Sequence, residues 1–396
     1  MSHSFCLVVN PAACGGRCGR RLPETLGALA DCGARDVRVC PTTSLGHAVE
    51  LAEEATARQE TVVAVGGDGL VGTLAGAVSR AGGVLGIIPA GRGNDFAHML
   101  GIPARPAAAA EALLSGEPRA VDLIGVQCGD GQELAVAGSV YLGVPSEGGE
   151  IANRSWWARG PVGYQLAGVR ALLGWRPATF TVDPGAAEPE VADPGPADPE
   201  VVDPEPADPQ VVDPEPAGPQ AGGPAATGWA AVSFPGFCVV VANSVYLAAG
   251  RQVAPDADIG DGLLDVIMVR QGTKLSFAEA MLRAGRGRHV LMDEVTTQRA
   301  ARVTVTADRA MPAAADGETL ACACPLGAGS PLLIRALPGA LRVIAPADGQ
   351  APGARRHSPE RTWWPWPPPR KDSTNSGLAD SSAGVPSIRT SPPPST

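Results

Sequence analysis

The sequence predicts an α/β domain followed by an all-β domain, and three observations carry that division. Over the first third, short apolar runs alternate with longer amphipathic or Ala-rich segments, the pattern of a parallel sheet covered by helices. After Asp122 most apolar runs are strand-like and only two helical stretches interrupt them. Two low-complexity stretches, 181–220 and 346–396, cannot build a core and leave 305 of the 396 residues to fold.

In chain order, Ser4–Asn10, Asp36–Cys40, Thr61–Val65 and Gly86–Pro89 are short and apolar enough for buried parallel strands. Arg20–Asp31, Ser44–Arg58, Val71–Ala81 and Pro106–Ser115 supply the helices of that domain. The second domain begins with strand-like Glu133–Val140 and a helix over Val162–Leu173. Phe237–Ala242, Leu263–Val269, Ala301–Thr306 and Leu332–Ala336 are its further strands, and Ser276–Gly285 its second helix.

Between them, 181–220 reads TVDPGAAEPE, VADPGPADPE, VVDPEPADPQ, VVDPEPAGPQ, four copies of a ten-residue unit of which the first is degenerate. The formal net charge of −10 belongs to this block: it holds eleven Asp and Glu and no Lys or Arg, so the remainder carries +1. Proline at about every third position blocks ladders and favours extended polyproline II, which fits a solvated spacer or a docking segment for a basic or SH3-like partner. From Pro346 to Thr396 eleven Pro with many Ser and Thr predict a disordered tail. Trp363-Trp364-Pro365-Trp366, beside Arg361, Arg370 and Lys371, is either solvated there or inserted into a membrane interface.

No run of about 18 apolar residues occurs, and Phe5–Val9 is too short for a secretory signal, so a cytoplasmic protein is expected. Nine Cys, an odd number, fit reduced thiols better than a disulfide framework. Cys14/Cys18 and Cys322/Cys324 are the close pairs, without His or C-x-x-C spacing, which argues against structural zinc.

The informative chemistry lies at strand ends. Val62–Val65 runs into Gly66-Gly67-Asp68-Gly69, directly before a helix. Glycines there let the backbone approach a phosphate and aim N–H groups at it, while the helix N-terminus adds partial positive charge. A carboxylate in that position suits the Mg²⁺ of a nucleotide triphosphate or its water shell. A glycine turn at a topological crossover would look the same. Gly86–Pro89 repeats the pattern by running into Ala90-Gly91-Arg92-Gly93-Asn94-Asp95-Phe96-Ala97. Near the N-terminus, Asn10-Pro11 leads into Gly15-Gly16-Arg17 and Arg20-Arg21, a third phosphate-compatible loop. Two or three such loops outside neighbouring parallel strands form the crevice in which open α/β sheets bind ligands.

In that order, N-P-x-A-x-G-G, G-G-D-G and P-A-G-x-G-N-D-F-A resemble the diacylglycerol kinase catalytic family, and more narrowly soluble bacterial diacylglycerol and lipid kinases, related to sphingosine and ceramide kinases and distantly to NAD kinases. The likeness continues through Asp122, Arg159-Gly160-Pro161 with Tyr164, Val241-Ala242-Asn243, Ala254–Ala257, Asp261–Asp265, Asp316-Gly317-Glu318 and Pro338–Val343. The resemblance implies an NAD kinase/diacylglycerol kinase-like architecture, with a Rossmann-like parallel α/β domain over 1–122 to which 330–345 returns. A β-sandwich substrate domain over 123–329, interrupted at 181–228, would follow.

It further implies that Asn10, Gly66, Gly67, Asp68, Gly69, Gly91, Arg92, Gly93 and Asn94 line the phosphates of ATP. Asp68, Asp95 and Asp122 would form a water-linked Mg²⁺ network, and Asp258, Asp261 and Leu263 a structural Mg²⁺ site, although an Asp-Gly turn accounts for the latter residues as well. Asp316, with Glu318 beside it, would be the general base for a lipid hydroxyl; taken alone, Asp316-Gly317 is also a hairpin turn. The implied partner is a lipid alcohol at the membrane surface, with the protein peripheral there. A homodimer and a protein partner for the acidic repeat stay open, and no nucleic-acid partner is expected. The chain departs from the family pattern at Leu70, Thr73, Arg92 and Gly143–Ser146. Three functions follow: an ATP-dependent lipid kinase, a nucleotide-binding member with weak or lost kinase activity, and a kinase of a soluble substrate.

Overall fold

The structure is a computed structural model that describes residues 4–346 apart from 12, 92, 130, 156–160, 186–228, 249 and 321–329, together with 389–390. The readings of a spacer beyond residue 185 and of a Trp-containing tail lie outside the described residues.

The first domain follows from its apolar runs. In order come β1 (Ser4–Val9), α1 (Ala13–Asp31), β2 (Asp36–Pro41), α2 (Leu45–Ala57), β3 (Thr61–Gly66), α3 (Asp68–Ala81), β4 (Val84–Pro89), α4 (Asp95–Met99) and α5 (Pro106–Ser115). In β1, β3 and β4 every residue after the first is buried, as a strand covered on both faces requires. The four strands pair in parallel in the order β2-β1-β3-β4. From β1 the chain goes to one side for β2 and then across to the other for β3. The connections therefore diverge between β1 and β3, and a crevice opens beyond Val9 and Gly66.

The second domain is antiparallel. It runs through β5 (Glu117–Cys128), β6 (Leu134–Val136), β7 (Ser139–Gly143), α6 (Val144–Arg154), α7 (Pro161–Gly174), β8 (Ala178–Asp183), β9 (Val232–Ala242), β10 (Tyr246–Leu247), β11 (Arg251–Gln252) and β12 (Leu264–Arg270). α8 (Lys274–Arg283), β13 (Val295–Ala300), β14 (Arg302–Ala307), β15 (Ala313–Ala315), β16 (Glu318–Thr319) and β17 (Leu332–Ala345) complete it, and β18 (Arg389–Thr390) follows. β9 pairs with β7, β8 and β12. β17 is antiparallel to β5 along its length and, through Arg342↔Val84 and Val343↔Leu85, parallel to β4. The hydrogen-bonded sheet is thus continuous from one domain into the other, which fixes the two walls of the crevice relative to each other.

Several expectations need correction. α1 begins at Ala13, so Gly15, Gly16 and Arg17 are helical instead of an open loop; Gly16, at φ +77°, tolerates a conformation that L side chains resist. α6 is a helix that the sequence reading did not include. Pro145 occupies its first turn, Ser146 Oγ donates within reach of the Gly143 and Pro312 carbonyls at 2.9 and 2.8 Å, and Gly148 lets Gly168 of α7 approach closely. Thr181–Asp183 open the repeat by sequence but close β8, where Val182 is buried and paired with Val232. Arg389–Thr390, in the tail, pair in parallel with β2. Cys128 is disulfide-bonded, whereas Cys6, Cys18, Cys32, Cys40 and Cys238 are free.

Candidate active site

The crevice is built by two loops that touch backbone to backbone. A Cβ on Gly91 would lie 2.3 Å from the Gly67 Cα, and one on Gly67 would lie 2.9 Å from the Gly91 Cα, so no side chain fits at either position. Ala90 and Gly91 donate N–H groups to the Gly66 carbonyl at 2.8 and 3.2 Å. Asn94, in the left-handed region at φ 56°, accepts the Gly91 N–H on Oδ1 at 2.9 Å. Asp68 opens α3 and ties the loops together: its Oδ2 accepts from Asn94 N at 2.7 Å and its Oδ1 from Phe96 N at 3.4 Å. Gly66, Gly67, Asp68, Gly69, Gly91, Gly93 and Asn94 therefore share one mouth, with Asn10 following β1 at the same edge. Arg92 lies outside the described residues.

The opposite wall carries Asp316. It sits in the turn between β15 and β16 at φ 46°, followed by Gly317 at φ 91°, so the hairpin reading and the site reading hold together. Its carboxylate accepts three successive backbone N–H groups, from Ala137 (2.9 Å), Gly138 (3.0 Å) and Ser139 (2.9 Å). Burial pushes its pKa up to about 6; the three amides pull the other way, and the Asp68 carboxylate facing it adds to the rise. Burial also raises Glu318.

Glycines on α3 make room for both carboxylates. A Cβ on Gly72 would lie 3.0 Å from Asp316 Oδ2, and one on Gly69 3.3 Å from Glu318 Oε1. One helical turn thus presents Asp68 at its start and a bare face for Glu318 and Asp316. Thr73 turns its hydroxyl back to the Gly69 carbonyl at 2.8 Å, and Leu70 packs into the core, so these departures from the family pattern are taken up by the helix itself. The amide cradle of 137–139 was not legible in sequence, because backbone N–H groups carry no residue signature. Gly138 was its one trace, since a Cβ there would meet Asp316 Oδ1 at 2.9 Å.

The other acidic residues are placed differently. Asp95 accepts the Gly250 N–H at 2.7 Å. Asp122, 3% exposed, accepts Gly262 N–H at 2.7 Å and Gly339 N–H at 2.8 Å, clamping the 258–263 loop and the irregularity in β17 to β5. Asp258 and Asp261 accept from Gly260 and Leu263 two residues on, at 3.1 and 3.0 Å, and Asp261 is also paired with Arg299. Among the described residues no group of three or more His, Cys, Asp or Glu side chains is arranged to hold a metal ion. Asp68, Asp95, Asp122, Asp258 and Asp261 each accept backbone N–H groups, because a carboxylate near an unpaired amide satisfies it directly.

A parallel α/β domain with a glycine-walled crevice, completed by a β-sandwich that sets a half-buried carboxylate against the first turn of α3, has the architecture of a two-domain kinase. Comparison with known proteins gives the family. Residues 4–126 match the model of the diacylglycerol kinase catalytic domain, and residues 138–345 that of the YegS C-terminal NAD kinase beta sandwich-like domain. The chain belongs to this diacylglycerol kinase and YegS-like lipid kinase family.

Among relatives, it is 29% identical over 291 residues to a diacylglycerol kinase of Mycobacterium tuberculosis, covering 73% of this chain and 78% of that one. It is 25% identical over 289 residues to a diacylglycerol kinase of Bacillus subtilis, covering 70% and 77%. A solved structure of a diacylglycerol kinase from Bacillus anthracis str. Sterne shares the fold, with a TM-score of 0.57 at 17% identity over 87% of this chain and 97% of that one.

Proposed function

We propose that the protein is an ATP-dependent lipid kinase that transfers the γ-phosphate to the hydroxyl of diacylglycerol or a similar lipid alcohol. The single observation that carries the reading is the Asp316 carboxylate, held by three amides opposite Asp68 and raised to about 6. A carboxylate near that value is ionised at neutral pH yet basic enough to take a proton. Asp316 Oδ2, turned toward Gly72, receives the proton as the lipid oxygen bonds to the γ-phosphorus and the bond to the bridging oxygen breaks, leaving ADP and a lipid phosphate. Gly67 and Gly91 let the two loops close on each other at the mouth of the crevice, and the start of α3 there favours the negative charge of a polyphosphate.

The residues present fit Mg²⁺ held through water. Each Asp68 oxygen accepts an N–H bond, from Asn94 and Phe96, and an ionised carboxylate has about four acceptor sites, which leaves room for metal-bound water. When bound, the ion neutralises phosphate charge. The similar diacylglycerol kinases of Mycobacterium tuberculosis and Bacillus subtilis make diacylglycerol the first substrate to try. Purified protein with labelled ATP, Mg²⁺ and mixed micelles containing diacylglycerol should yield a labelled phospholipid. Nucleotide binding without any labelled lipid would favour the inactive alternative, and label appearing only on a water-soluble acceptor would favour the other.

A further inference from the structure

A cavity of about 560 Å³ opens on the second domain, and none of its lining residues belongs to the crevice. Its floor follows from one strand pair. Among the described residues β13 pairs with β12 alone, in a register that sets Arg299 opposite Asp265 and Thr297 opposite Ile267. Side chains two apart on a strand share a face, so these four form one surface that joins a carboxylate, a guanidinium, a hydroxyl and an aliphatic group. Trp229, Pro255 and Val290 wall it, and the Trp229 indole N–H donates to the Arg299 carbonyl at 3.0 Å, which fixes the ring in place.

Asp265 is the member that packing does not explain. It is 6% exposed, and its Oδ2 is enclosed without a hydrogen bond among the described residues. Arg299 Nε stands 3.8 Å from that oxygen, too far for a hydrogen bond, and Arg299 Nη2 is taken by Asp261. A buried carboxylate left in that state costs stability that an apolar residue of the same size would not. Burial accordingly pushes its pKa up to about 6; Arg299 pulls it down, and Asp261 and Asp256 add to the rise.

The charges around the cavity decide what it takes. Asp256, Asp261 and Asp265 outnumber Arg299 three to one, so an entering anion would meet net repulsion, whereas an ammonium group would give Asp265 the charged donor it lacks. No group of three or more His, Cys, Asp or Glu side chains among the described residues is arranged to hold a metal ion, which leaves an organic cation. The indole of Trp229 suits the same ligand, because an aromatic face attracts a cation with an apolar body. We propose that the cavity binds a small organic ammonium ion, its charge on Asp265 and its body against Trp229 and Ile267. The site stands apart from the crevice and holds its ligand whether or not the protein is a kinase.

The test uses the full chain at pH 8, where Asp265 is ionised, and titrates three probes of similar shape in a calorimeter: benzylamine, benzyl alcohol and benzoate. Benzylamine should bind with a Kd of about 1 mM or tighter, and the alcohol and benzoate at least tenfold more weakly. Asp265→Asn keeps the side chain's size and removes an uncompensated charge, so it should weaken benzylamine at least tenfold with the thermal midpoint held or raised. Trp229→Leu should weaken it several-fold and provides a second arm should Asp265→Asn fold poorly.

No binding of benzylamine, equal affinity for benzylamine and benzyl alcohol, or benzylamine binding that neither variant changes would overturn the proposal. So would benzoate binding that is tighter than benzylamine binding and lost in Arg299→Gln, since the cavity would then take anions. Displacement of benzylamine by Mg²⁺ at matched ionic strength would assign the carboxylates to a metal and overturn it as well.

Discussion

Asp316→Asn tests the base and its cradle together. In the native site Oδ1 faces Gly138 and Ser139 and Oδ2 faces Ala137, all as acceptors. An amide keeps one acceptor oxygen, so its NH₂ group must confront at least one backbone N–H. Losing a charge-assisted hydrogen bond costs about 1.5–3 kcal/mol, and leaving its donor unpaired about 1–3 kcal/mol; allowing for the relief of desolvating the charge, we expect a net loss of about 2–3 kcal/mol. In a chain of this size that lowers Tm by about 5 °C.

Removing the proton acceptor should cut turnover by about 10²- to 10⁴-fold. The pH dependence supplies a separate sign. Folding raises this carboxyl from 3.8 to about 6, so between those values the folded state holds the proton more tightly and Asp316 withdraws stability as pH rises. Turnover moves the opposite way and falls as pH drops through about 6, where the base protonates. Both limbs should vanish in Asp316→Asn. Mixed-micelle turnover, thermal melts from pH 4 to 8 and ATP-analogue affinity measure the three quantities; wild-type turnover would refute the base, and unchanged melting would refute the amide cradle.

Other perturbations separate the roles of neighbouring residues. Gly72→Ala puts a Cβ 3.0 Å from Asp316 Oδ2 and should reduce turnover about tenfold, whereas Gly69→Ala meets the flexible end of Glu318 at 3.3 Å and should cost less than threefold, both read in the same micelle assay. Asp68→Ala orphans the Asn94 and Phe96 amides and should lower stability by about 1–3 kcal/mol in urea melts while abolishing turnover. Asp122→Ala, which frees Gly262 and Gly339, should cost about 3 kcal/mol or more by the same measurement. Deleting 186–228 should leave Tm unchanged or slightly higher, because Val182 and Val232 are already paired; extending the deletion back to Thr181 should lower it by removing buried Val182, and equal melting of the two deletions would refute the boundary.

What the sequence determined by itself is what repeats along the chain at short range. Buried strands announce themselves as apolar runs such as Val62–Val65, and the crevice as glycines where a run ends, since a strand covered on both faces and a backbone approached at van der Waals distance each leave one kind of residue available. The order of those motifs also carried the family. What only the tertiary structure decided are the partners of groups far apart in sequence. Asp122 reads in sequence as a lone carboxylate, and only the fold gives it the amides at 262 and 339; Asp316 is held by three N–H groups nearly 180 residues earlier, while burial in the folded site and Asp68 across the crevice raise its pKa. Which face of α7 turns inward was equally hidden: its apolar spacing predicts a helix, but the inner side depends on where Gly148 lets Gly168 approach, a property of two packed backbones that neither segment holds alone.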